Sequence, residues 1–216
     1  MPDLNFVIES AEQVPDSVSP LLNFKLVITD ARAAFISAVA LRCQIRIEPT
    51  RRRYAESEQE RLHDLFGEPA RWGQTLRSML WTHTTLVTPS FTGRTMVDLP
   101  VPCTYDFNIA ATKYFYALEE DDVPLTLLFS GTVFHADDPE GPLQTSPIPW
   151  EKETTFRLPV RVWRSMMDHY YPNGAWVRLR RDVFDRLYLY KSGLGLPTWE
   201  QALERLIDKS EERAEP

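Results

Sequence analysis

The chain has 216 residues, a formal net charge of −7, 43% hydrophobic and 25% charged residues. That is enough length for one well-filled core, and the balance of apolar and charged residues excludes global disorder. The acidic excess excludes the broad positive field of a general nucleic-acid binder, and no apolar run approaches the ~20 residues that span a bilayer.

Seventeen prolines stand against eight glycines. Proline removes a ladder donor and collects at strand ends and edges, so this excess predicts many short strands joined by stiff connections. Residues 1–20, with Pro2, Pro15 and Pro20, read as an N-terminal arm. They carry neither the basic nor the apolar segment of a secretory leader, which places the expectation in the reduced cytoplasm. In Leu22–Thr29, Leu22, Phe24, Leu26 and Ile28 alternate with Asn23 and Lys25, the period of a half-buried strand. A second strand puts Leu41, Cys43, Ile45 and Ile47 inward and Arg42, Gln44, Arg46 and Glu48 outward. A hairpin or meander is the simplest pairing of two such neighbours.

Pro49 ends that strand and Arg51-Arg52-Arg53-Tyr54 leads into a helical insertion over about 55–80. Ser57 and Glu60 have capping-box spacing, Leu62, Leu65 and Phe66 make an apolar stripe, and Gly67 closes the helix. Thr82–Thr88 is rich in β-branched residues, and Val97, Leu99, Val101 and Cys103 face inward in a strand that Pro100 and Pro102 assign to a sheet edge. Phe107–Leu118 fits a helix and a strand equally well. Glu119–Asp122 is a turn, and Val123–Phe134, the most apolar segment, predicts a central strand in which Gly131 marks a bulge or a close backbone approach. Residues 136–150 read as a loop and Glu151–Leu158 as a last strand. Helices then follow from Pro159, over Arg180–Ser192 and from a cap at Thr198, before a charged tail over 209–216. Strands followed by helices give an α+β class: an antiparallel β-sandwich or bent sheet with a helical insertion and a helical C-terminal cap, in one domain over 21–208.

No pair among His63, His83, His135 and His169 has metal-site spacing, and there is no Cys-x-x-Cys, phosphate loop or dinucleotide fingerprint. No cofactor is expected. Cys43 and Cys103 lie in apolar-alternating segments and read first as small core residues; Cys103, near a strand end, is the better nucleophile candidate. The acidic pairs at 119–122 and 137–138 read as solvated turn carboxylates. Arg51–Arg53 is the one local basic concentration, supported by Arg42 and Arg46, and with Tyr54 it is the candidate partner-binding segment; the competing reading is that these arginines pair with the chain's own acids. The six tryptophans read mostly as core, although Trp and Arg also anchor interfaces.

The runs Ala40 to Pro49, Leu65 to Gly73, Val97 to Phe107 and Leu128 to Phe134 resemble an uncharacterised bacterial family of unknown function. The resemblance covers about residues 20–208. Members of that family often lie beside genes for uptake-type nickel–iron hydrogenases, which implies an accessory role and supplies no catalytic residues. The leading expectation is a non-enzymatic accessory protein that binds a protein partner, with hydrogenase assembly as the implied system. Two alternatives stay open: a small enzyme or ligand carrier with a pocket from distant residues, and a β-sheet chaperone with a large apolar groove.

Overall fold

The computed structural model describes residues 2–104, 109–136, 141–174 and 177–212. Contacts divide the chain into two compact units, residues 1–174 and 175–216.

The first unit contains two antiparallel sheets. One joins β1 (Leu4–Gln13), β2 (Leu21–Asp30) and β6 (Arg94–Pro102) in the order β1-β2-β6. The other runs β4 (Met79–Val87), β3 (Phe35–Ile47), β7 (Asp122–Ala136), β8 (Gln144–Pro147). In this second sheet β5 (Phe91–Thr92) also pairs with β3, and β9 (Glu153–Pro159) with β7. Alternating inward residues of both sheets meet in one core: Phe6 of β1 stacks on Phe129 of β7 at 4.4 Å, and Phe24 of β2 packs on Trp81 of β4 and Phe156 of β9. This is the sandwich and the α+β class that the strand pattern predicts.

Three expectations change. Residues 4–13, inside the predicted arm, form β1, with Leu4, Phe6 and Ile8 buried on one face; the prolines lie outside the strand and do not interrupt it. The predicted hairpin of β2 and β3 does not form, and the two strands lie in different sheets. The Asp30 carboxylate accepts from the backbone N–H groups of Asp3 and Ala34, both at 2.8 Å, fixing the corner between them. Alternation alone does not distinguish strands side by side from strands facing across a core. Finally, the cap of the inserted helix α1 (Glu56–Phe66) is Ala55 rather than Ser57; Glu58 Oε2 reaches back to the Ala55 N–H at 3.0 Å.

Proline placement follows the ladder logic: Pro100 and Pro102 sit on β6, at the edge of the first sheet. Gly131 of β7 has φ +137°, and a Cβ there would lie 2.0 Å from the Ala40 carbonyl oxygen of β3. The insertion continues through the short α2 (Trp72–Thr75). The ambiguous segment resolves as α3 (Ile109–Ala117), while Phe107 and Asn108 lie outside the described residues. α4 (Val160–Tyr170) packs on β1, β2 and β9, burying Val160, Trp163, Met166 and Met167. The second unit holds α5 (Arg181–Gly193) and α6 (Trp199–Glu211), where Thr198 Oγ1 caps α6 by accepting from the Gln201 N–H.

Candidate functional site

Residues 51–54 leave β3 through a single 3-10 turn, Pro49–Arg51, whose proline presets the helical φ. The four residues do not form one exposed patch. Arg51 and Arg53 are exposed and carry no ion pair among the described residues. Arg52 turns inward, its side chain only 5% exposed, and meets the equally buried Glu58 of α1 at 2.6 Å. Tyr54 is half-buried; its hydroxyl donates to the Pro49 carbonyl at 2.8 Å and lies 2.8 Å from the Tyr114 hydroxyl of α3. Burial pushes the Tyr54 phenol up to about 12 and Tyr114 higher still.

Arg52 points at the acidic turn that follows α3. The last carbonyls of a helix have no partner within it and carry the negative end of its dipole. Three guanidiniums converge on them and on the turn. Arg61 Nε of α1 donates to the Ala117 carbonyl at 2.9 Å. Arg164 of α4 donates to the carbonyls of Leu118 and Glu119. Arg52 donates to the carbonyls of Glu120 and Asp122 at 2.8 and 3.0 Å. Glu58 completes the clamp by accepting from the Glu119 N–H at 2.9 Å. With its carbonyls satisfied inward, the turn presents its carboxylates outward. Glu119 is held below the usual carboxylate range by its hydrogen bonds from Arg61 and Ser57. Glu120 and Asp121 are exposed, and Asp121 takes the left-handed φ of 66° that starts β7.

Two surface grooves flank this ridge. One, of about 370 Å³, is lined by Arg53, Tyr54, Ala55 and the ridge acids. The other, of about 450 Å³, is lined by the ridge, Pro159, Arg161 and Arg164. The surface therefore carries exposed arginines on both sides of an acidic ridge. The segment 51–54 was legible as a basic run; the roles of Glu58, Arg61 and Arg164 were not, since each depends on a contact more than 40 residues away in the chain. Arg42 is exposed and Arg46 half-buried on β3, as the strand pattern predicts.

The other candidate groups lie elsewhere. Burial alone pushes the Cys43 thiol up to about 12, and burial drives Cys103 higher although a backbone hydrogen bond opposes it. Cys103 borders a void of about 10 Å³ with Trp81, Thr112, Phe115 and Trp163, room for at most a single water. His135 is buried against the Ser146 hydroxyl at 2.9 Å, His63 lies 3.1 Å from Glu68 on the surface, and His83 and His169 are exposed. Among the described residues no group of three or more His, Cys, Asp or Glu is placed to hold a metal ion, and no helix is long and apolar enough to cross a membrane. The acidic pair at 137–138 lies outside the described residues. Trp72, Trp81 and Trp163 are core, whereas Trp150, between β8 and β9, is 89% exposed.

The chain belongs to a family of unknown function, DUF6084, whose model matches residues 1–215. No curated protein matches the sequence. Among solved structures, a crystal structure assigned to ApaA of Bordetella pertussis aligns at 13% identity over 73% of this chain and 94% of that one. Its TM-score is 0.26.

Proposed function

We propose that this protein is a non-enzymatic accessory factor that holds a protein partner through the surface around Arg51 and Arg53. The observation that supports the reading is the division of labour in one short segment. Arg52 is spent on the chain's own helix end, while Arg51 and Arg53 on either side are exposed and form no ion pair among the described residues. Exposed arginines suit an acidic partner segment, because guanidinium binds carboxylate through two parallel hydrogen bonds. The clamp of Arg52, Arg61 and Arg164 ties the segment before α1 and the helices α1 and α4 to the turn after α3, and a surface ordered in advance loses little entropy on association. The resemblance to a family encoded beside uptake-type nickel–iron hydrogenase genes points to hydrogenase assembly as the system in which the partner is found.

The test is binding of the wild type and of Arg51→Glu/Arg53→Glu to the partner recovered from the native host with its operon expressed. Charge reversal should weaken binding by at least about tenfold, equivalent to about 1.4 kcal/mol, and flatten the salt dependence. Equal affinity of the two proteins would overturn the assignment of this surface.

A further inference from the structure

We infer that the second unit is a self-association module, in which α5 and α6 pack against the same helices of a second copy of the chain. The unit has 42 residues and no cysteine. Chains of that size rarely bury enough surface to hold together without disulfides, metals or association. Here no residue of α5 is fully buried, although the Tyr190 hydroxyl is, and Ala202 is the one fully buried residue of α6.

The apolar residues are nevertheless arranged for packing. Trp199, Ala202, Leu203, Leu206 and Ile207 follow the i, i+3, i+4, i+7, i+8 spacing of a helix that faces an apolar neighbour. Ala202 is buried and Leu206 half-buried, but Leu203 and Ile207 are 45% and 55% exposed. On α5, Phe184 and Tyr188 pack on Trp199 at 5.2 and 6.4 Å and still remain 43% and 55% exposed. Leu189 and Leu194 add to the uncovered apolar surface.

Charge selects the occupant. Residues 177–193 carry five basic and two acidic side chains, while 199–212 carry two basic and five acidic ones. One half is thus +3 and the other −3. A two-fold axis that sets α5 of one copy against α6 of the other makes both contacts at once, because an isologous interface uses the same patch twice. An unrelated partner would have to match both signs in the same order.

The experiment is sedimentation velocity of the full chain over a range of concentrations, with Leu203→Glu/Ile207→Glu as the apolar variant. Arg186→Glu and Glu204→Arg, at exposed positions, provide the charge arm. The wild type should be dimeric and the apolar variant monomeric, with the near-ultraviolet circular dichroism of the first unit retained. Each charge variant should dissociate more readily than the wild type, and an equimolar mixture of the two should recover dimers. A wild type that is monomeric at every concentration, or a dimer that survives Leu203→Glu/Ile207→Glu, would overturn the inference. Neither outcome bears on partner binding at Arg51 and Arg53.

Discussion

Arg52→Met should cost far more stability than Arg53→Met one position away. The two residues belong to the same basic run, but the Arg52 and Glu58 side chains are both 5% exposed and 2.6 Å apart. Removing one member of a buried pair leaves the other charged and uncompensated, at a cost of about 3–5 kcal/mol. Glu58 keeps its hydrogen bonds from the Ala55 and Glu119 N–H groups, which favours the lower part of that range. The carbonyls of Glu120 and Asp122 lose their donor, which works the other way. At about 2–4 °C per kcal/mol for a chain of this size, the melting temperature should fall by roughly 6–20 °C. Arg53→Met, at an exposed position, should stay within about 0.5 kcal/mol of wild type. Urea and thermal unfolding measure both, and Arg52→Met/Glu58→Gln should recover part of the loss because no uncompensated carboxylate remains. Equal stabilities for Arg52→Met and Arg53→Met would refute the assignment of Arg52 to the helix-end clamp.

Gly131→Ala drives a methyl into the Ala40 carbonyl oxygen at a φ of +137°, and backbone strain with overpacking should cost about 2–6 kcal/mol, seen as loss of soluble protein or a large drop in urea midpoint. The Tyr54 phenol is raised from 10.0 to about 12 chiefly by burial, so the neutral form is favoured in the folded state. Its contribution is fully present below pH 10 and is lost as pH rises toward 12; stability should therefore decline over that window, and less so in Tyr54→Phe, as followed by unfolding at each pH. Both thiols should resist a disulfide reagent in native protein at mildly alkaline pH and react at once in denaturant, since burial holds Cys43 at about 12 and Cys103 above it. Trp150→Ala, at 89% exposure, should leave the unfolding midpoint within about 0.5 kcal/mol of wild type.

Much of the sandwich was legible because its strands are half-buried and alternate. The edge placement of Pro100 and Pro102 and the close approach at Gly131 follow from the chemistry of those two residue types. Sheet membership was not legible: the same alternation serves β2 and β3 whether they pair or face each other. β8 and β5 lay hidden in segments of turn residues, because two to four residues give periodicity too little length. At the candidate site the sequence showed a basic run and an acidic turn. It did not show that Arg52 alone is consumed internally, since that depends on Glu58 and on backbone carbonyls near residue 120, brought together by the return of α3 beside α1.

The most direct test of the accessory reading is affinity purification from the native host of tagged wild type beside Arg51→Glu/Arg53→Glu, with mass spectrometry of what co-elutes. A stoichiometric protein partner is expected on the wild type, a hydrogenase component by the family resemblance, with its loss from the charge-reversed protein at unchanged thermal stability. A wild type that elutes alone from cells expressing the whole operon, or a partner retained in full by the variant, would contradict that reading.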